Sequence, residues 1–432
     1  MRLTLTVVLF AALVGHVAEA KRRPTRVEEP RWAEIVFPLL TLSKGAEAKR
    51  AYGTAFVVDQ KNSLLVTNFH VIAGFAADRS QYELKLLVKG TKVAVELMAF
   101  DPVSDLAIVK ASTGFSSALS LSNSAPRLGA AIKCVGIPED TVLTVVDGRF
   151  ASSEINGLQK HMVISAPVNS GMSGGPVVNS KGEVIGVNAS ILKDARDISY
   201  AVPTTFVRAL LSVVQNEGLQ RVLASDVEAN SSQLISGRLS GAHSNFLNQW
   251  KEKNRAAETM QLGPYQIAAI PDGLKCWQDK KRNLKTSQEM MICANSATVP
   301  VSDVTRAGFF SYTAILGSLA EGRIAAFERL QFDQAQWTSF TSDFAKAQET
   351  KNDYECRHRY VSNASQIPMN VDVCFRRLKQ GWNLSDAMIT ARIMSRGYRP
   401  LSAHLMLGGV STDLIPSYLQ FFVDSIRPGA RP

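Results

Sequence analysis

Two kinds of periodicity divide this chain. From Thr54 to Ala166, short apolar and β-branched runs alternate with polar turn residues. The pattern predicts strands at Thr54–Val58, Leu64–Asn68, Glu83–Val88, Val93–Ala99, Leu106–Ala111, Ile132–Ile137, Thr141–Val146 and Met162–Ala166. Gly182–Ser190 continues the series. Pro203-Thr204-Thr205 then opens a helix through Val214, with Val207, Leu210, Leu211 and Val214 on one face. Residues 217–260 are polar and rich in Ser, Asn and Gln, and read as a connector with a helix over Asn245–Met260.

The remainder repeats itself. Cys276 recurs as Cys356 and Cys293 as Cys374, at offsets of 80 and 81 residues. Ser302-Asp303 recurs as Ser385-Asp386, and Trp337, Phe340 and Asp343 as Tyr418, Phe421 and Asp424. A nearly constant offset predicts two α+β copies, 261–346 and 347–432, ending in helices near Phe332–Gln348 and Thr412–Ile426. Four cysteines allow three pairings. The repeat selects the local ones, Cys276–Cys293 and Cys356–Cys374, each stapling two short strands, as Tyr354–Arg357 against Asp372–Phe375. Each copy then stands as a small unit with a modest core.

The first twenty residues change the setting. Arg2, an apolar run from Leu3 to Val14 and Ala18-Glu19-Ala20 read as a secretory signal, cleaved before Lys21. The expectation is an exported protein, periplasmic or extracellular, in a compartment where disulfides persist. No other run approaches eighteen uninterrupted apolar residues, so no transmembrane segment is expected. Hydrophobic residues at 46% and charged residues at 20% are ordinary for a globular chain. The net charge of +10 is spread evenly over both halves, which argues against a nucleic-acid-binding arm. Cys134, in a buried-strand pattern, is expected to be a free thiol. No zinc-type spacing is present, and neither a metal nor another cofactor is expected.

Chemistry concentrates in three segments. Gly171-Met172-Ser173-Gly174-Gly175-Pro176 surrounds a serine with glycines, where the backbone can bend sharply and offer N–H groups to one point. Upstream, Ser63–Gly74 carries an apolar run that ends in His70, at the lip of a glycine-bounded turn. Asp101–Lys110 places Asp105 immediately before another strand-like run. A serine hydroxyl needs a base, and the base needs an anion to fix its tautomer. His70, Asp105 and Ser173 could supply these roles, with the Gly171 and Ser173 amides as an oxyanion hole.

These pieces, with Gly53–Val58, Ser104–Ile108 and Gly182–Asn188, resemble the trypsin-like serine proteases of the bacterial Deg/HtrA branch over roughly residues 30–216. The resemblance implies an all-β, chymotrypsin-like protease domain of two six-stranded barrels over 21–216, with the triad in the cleft between them. It also implies endopeptidase activity on protein or peptide substrates, including unfolded ones. In that pattern the primary specificity pocket maps to Val168, Ile191 and Ile198, which favours small aliphatic P1 residues. Met172 replaces the family's usual asparagine but adds no charge. No PDZ pattern follows, and no family resemblance is recognised in the C-terminal half. The competing expectation is a catalytically inactive protease fold that binds partners, or acts as a chaperone, through its C-terminal repeats. Nothing in the chain fixes an oligomeric state.

Overall fold

The computed structural model describes residues 32–429 apart from 45–48, 140, 192–197, 216–230, 257–258, 283–285, 303–304, 320–353, 379–381 and 394–399. The signal segment and the expected helix at Phe332–Gln348 therefore lie outside the described residues, as do Trp337, Phe340 and Asp343.

The first half is two closed antiparallel barrels. Strands β1 (Val36–Ser43), β2 (Lys49–Asp59), β3 (Leu64–Thr67), β4 (Tyr82–Val88), β5 (Thr91–Asp101) and β6 (Leu106–Ala111) close in the order β1-β2-β3-β6-β5-β4. Strands β7 (Ala131–Gly136), β8 (Thr144–Asn156), β9 (Gln159–Ser165), β10 (Pro176–Asn179), β11 (Val184–Ile191) and β12 (Ile198–Pro203) close as β10-β11-β12-β9-β8-β7. Closure leaves no free edge, so the alternating pattern can fill each interior with apolar side chains. The helix Thr204–Gln215 follows and buries Val207, Leu210, Leu211 and Val214, the face expected from their spacing.

Two local expectations fail. His70 does not sit on a turn but in the first turn of a helix, Phe69–Ala77, and Gly74 lies inside that helix. Phe69, Ile72, Ala73 and Ala76 are buried along it, a helical spacing that a strand reading of the preceding apolar run obscures. The strand expected at Thr141–Val146 starts later, at Thr144, and continues to Asn156.

The C-terminal half adds β13 (Thr259–Leu262), β14 (Tyr265–Ala268), β15 (Lys275–Arg282), β16 (Thr286–Ala294), β17 (Val299–Pro300), β18 (Arg306–Ala307), β19 (Phe309–Leu319), β20 (Glu355–Ser362), β21 (Pro368–Arg377), β22 (Leu384–Ile393), β23 (Leu401–Ser411) and β24 (Arg427–Pro428). Seven of these form one sheet, β15-β16-β19-β23-β22-β21-β20. Strands from before and after residue 346 pair directly, β19 against β23 with Phe310 opposite Leu407. Those seven strands thus form a single sheet across residue 346, with apolar residues from both sides of it in one cluster. Ser302 lies in the link from β17 to β18 whereas Ser385 lies on β22, so that landmark does not mark equivalent places. A short helical turn, Thr412–Leu414, leads into the helix Ile415–Asp424.

The connector is mostly helix, Ser231–Arg255, and begins well before Asn245. Its apolar residues join two cores. Ile235 and Leu239 belong to the cluster that fills the first barrel and surrounds the His70 helix, together with Val299, Val301 and Trp382. Phe246, Leu247 and Trp250 belong to the cluster beneath the seven-stranded sheet. Phe246 stacks on Phe310 at 4.3 Å between ring centroids, and Trp250 meets Phe421 edge-on at 5.0 Å. Further contacts tie the second barrel to this half: Gly157 N–H donates to Gly273 O at 2.8 Å, and Asn156 Nδ2 donates to Ser296 Oγ at 2.9 Å. Among the described residues no helix is long and apolar enough to cross a membrane.

His243 lies between these two clusters on the same helix, wholly buried, with its ring edge-on to Phe310. Burial pushes its pKa from 6.5 down to about 4, against a smaller upward pull from the Leu239 carbonyl. As pH falls through 6.5 the unfolded chain takes up a proton that the folded chain refuses. Stability is therefore lost between pH 6.5 and about 4, by roughly 3 kcal/mol. Urea denaturation of the wild type and His243→Leu at pH 7 and pH 4.5 should show the acid loss shrinking by most of that amount in the variant.

Candidate functional site

Each element of the site is held by a local reason in the chain. Asp105 precedes β6 with φ +55°, a left-handed conformation that aspartate tolerates better than most residues. Several bonds fix it there. Its Oδ1 accepts the His70 backbone N–H at 2.8 Å, and its Oδ2 lies 2.8 Å from His70 Nδ1. Its own carbonyl accepts from Asn68 Nδ2 at 2.8 Å. The Asp105 side chain is nearly buried while that of His70 is 30% exposed, so the pair presents the imidazole to solvent and hides the carboxylate.

The serine turn belongs to the second barrel but is fastened to the first. Thr54, on β2 and fully buried, makes four bonds. Its N–H donates to Ser173 O at 2.8 Å and its hydroxyl to Gly171 O at 2.8 Å. The same hydroxyl accepts Ile137 N–H at 3.0 Å, and the carbonyl accepts Thr67 Oγ1 at 2.8 Å. Gly174 has φ +88°, and a Cβ there would stand 2.1 Å from Thr54 O and 2.4 Å from Thr67 Oγ1. Only glycine lets the serine turn seat this closely against the first barrel. Gly171 is also left-handed, at φ +92°. Asn188 holds the turn from below, donating through Nδ2 to Val135 O at 3.0 Å, while Gly174 N–H donates to its carbonyl at 2.8 Å.

The structure brings His70 and Asp105 together, whereas the hydroxyl of Ser173 donates to Ala189 O at 2.9 Å. The amides of Met172 and Gly174, on either side of Ser173, are engaged by Asn169 O and Asn188 O. Met172 points its side chain into the second-barrel core, and its Sδ accepts Asn169 N–H at 3.5 Å. Of the three residues expected to line a pocket, Val168 is buried in that core and Ile198 is 37% exposed on β12. The Ile191 side chain lies outside the described residues. Sequence reasoning missed Thr54, although Gly53–Val58 carried it; no local pattern marks a threonine three of whose four partners, Ile137, Gly171 and Ser173, lie more than 80 residues away. It also missed His161, a buried histidine of β9 whose pKa is lowered by desolvation against the opposing pull of the Asp105 and Glu154 charges.

Cys276 is bonded to Cys293 and Cys356 to Cys374, each pair directly opposite across a strand ladder. Cys134 is free and buried, and desolvation pushes its thiol up to about 12, which leaves it inert. Among the described residues no group of three or more His, Cys, Asp or Glu could hold a metal.

Residues 53–187 match the family described as the trypsin-like peptidase domain. The chain carries a trypsin-like peptidase domain. This domain is similar to serine protease HTRA1B of Danio rerio, 29% identical over 52% of this chain and 47% of that protein. It is also similar to the mitochondrial serine protease HTRA2 of Bos taurus, 34% identical over 39% and 37% of the two chains. Among solved structures, the active form of the Rv3671c protease from M. tuberculosis is similar at 20% identity and a TM-score of 0.38, over 44% of this chain and 86% of that one. The chain spans less than half the length of the two named relatives. Both belong to the HtrA serine proteases, in keeping with the Deg/HtrA resemblance of the peptidase domain.

Thr54 generates a direct test. Thr54→Val keeps the shape but leaves Gly171 O without its donor and Ile137 N–H without its acceptor. Two unpaired buried groups cost about 2–4 kcal/mol. Thermal and urea denaturation should show that loss, and a Thr54→Ser chain should recover most of it.

Proposed function

We propose that this protein is an exported serine endopeptidase that cuts protein substrates through His70, Asp105 and Ser173. The observation that carries the reading is the His70–Asp105 pair at 2.8 Å, in a peptidase domain whose glycine-flanked serine turn is bound to the same barrel. Asp105 fixes the tautomer with the proton on Nδ1, which frees Nε2 to act as base. Ser173 Oγ turns about χ1 from Ala189 O and attacks the peptide carbonyl as Nε2 takes its proton. The Gly171 and Ser173 amides receive the oxyanion. The imidazolium then protonates the leaving amine, and water hydrolyses the acyl-enzyme by the same steps in reverse roles.

Val168, Ile191 and Ile198 would give the primary pocket an aliphatic, uncharged lining, suited to Val, Ala, Ile or Leu at P1. Export is supported by the Ala18-Glu19-Ala20 site and by the two bonded cysteine pairs. The C-terminal sheet would recruit substrate rather than supply a second chemistry.

One observation favours the competing reading of an inactive protease fold that binds partners. The Ser173 hydroxyl is turned to Ala189 O and not to the imidazole. A fluorophosphonate probe separates the two. Labelling lost in Ser173→Ala and strongly reduced in His70→Ala supports the endopeptidase, with Ser173→Ala lowering casein turnover by about a million-fold. An unlabelled, folded wild type sinks it.

A panel of peptides varied only at P1 tests the pocket separately. Cleavage after Val, Ala, Ile or Leu should exceed cleavage after Arg or Lys by at least about tenfold, since each matched methylene contributes about 1 kcal/mol or more. Efficient cutting after Arg or Lys removes the pocket assignment and leaves the triad untouched.

A further inference from the structure

The seven-stranded sheet ends at β20, whose sole partner among the described residues is β21. Every residue from Glu355 to Tyr360 is exposed. Among the described residues, the backbone donors and acceptors on one side of this eight-residue strand are therefore unpaired. The edge is held firmly, since Cys356 is bonded to Cys374 on β21.

A groove of about 570 Å³ runs beside it, between β20 and β21 on one side and the helix Ile415–Asp424 on the other. Val371 and Val373 form its floor, and Leu419 and Val423 its helical wall. Arg357 and Arg359 also line it, opposite Val373 and Val371 in the strand register and hence on the groove face. Neither guanidinium has an ion pair or hydrogen bond with a described residue. Asp424, the acid on the lining, is already engaged: it accepts Ala364 N–H and the Gln420 side-chain amide. The groove thus joins a strand edge, an apolar floor and two positive charges that have no partner among the described residues.

We propose that β20 and this groove bind an extended peptide segment as an eighth strand, with apolar and acidic side chains together on the face toward the helix. Backbone bonds to β20 give affinity regardless of sequence, and alternate side chains give the preference. Acidic residues opposite Arg357 and Arg359 form cross-strand pairs, and an apolar residue falls beside Val361. A second copy fits poorly, because two β20 edges would set these arginines against one another. An unfolded stretch of a substrate protein has the required chemistry, and in naming that source the proposal rests on the endopeptidase reading.

The test uses the full chain carrying Ser173→Ala, to prevent cleavage, and a fluorescein-labelled octapeptide, Leu-Thr-Leu-Thr-Glu-Thr-Glu-Thr. Run antiparallel to β20, it sets a leucine beside Val361 and a glutamate opposite each arginine. Fluorescence anisotropy should show saturable binding. Replacing both glutamates with lysine, or using Arg357→Glu with Arg359→Glu, should weaken it about tenfold. Combining the two changes should restore it, and N-methylation of alternate amides should abolish it. Both substitutions are at exposed positions, and circular dichroism of the variant reports its folding. The proposal is overturned by an absence of saturable binding, by equal binding of the N-methylated peptide, or by failure of the charge swap in a folded variant. It is also overturned if phosphatidylglycerol vesicles bind where the octapeptide does not, which would make the groove a lipid contact. Fluorophosphonate labelling of the wild type reports on Ser173 independently, so failure here and failure of the endopeptidase reading are distinguishable.

Discussion

The hydrogen bonds of Thr54 are the constraint on which the rest of the site depends. A barrel closes on itself and has no need of a neighbour, so two barrels meet without any shared ladder to set their relation. Thr54 supplies that relation at one buried point, binding Ser173 O, Gly171 O and Ile137 N–H from within the first barrel. In a dry interior an unmade bond is costly, which makes the arrangement close to all-or-none. The proposed chemistry needs two side chains from one barrel and one from the other within a few ångströms, and this junction is where the two barrels are held in register.

The His70 side is secured differently. Asp105 occupies a conformation that would relax if nothing opposed it, and three hydrogen bonds oppose it. The helix that starts at Phe69 is enclosed by apolar residues of the first barrel, of the connector helix and of the β17–β18 region. The C-terminal half is therefore part of the packing around the helix that carries His70 and not only an appendage that follows the peptidase domain.

The elements legible in the sequence were those whose cause is local. Glycines around Ser173, the strand before His70 and the helix after Pro203 announce themselves within a few residues. The cysteine offsets also carried their pairings. Three strands of the barrels escaped notice for distinct reasons. β1 holds a proline, β10 is four residues long, and β12 follows a polar stretch. The His70 helix was hidden because its apolar residues follow those of β3 after only Thr67 and Asn68. The single sheet could not be foreseen, since the pairing of β19 with β23 joins residues about ninety positions apart. Thr54 belongs to the same class: the bonds that join the barrels run from it to Ile137, Gly171 and Ser173, all distant in the chain.

The connector helix has a thermodynamic consequence. At 25 residues it is about 37 Å long, with one end rooted in the barrel core and the other under the sheet. Neither core can be dismantled without stripping apolar surface from the other, so their unfolding free energies are shared. Mass action then connects them: a molecule that binds the folded sheet shifts the whole folded population and with it the ordered His70 helix. The linkage operates through occupancy alone, without any hinge, and it runs equally in reverse, from a ligand in the barrel cleft to the integrity of the sheet.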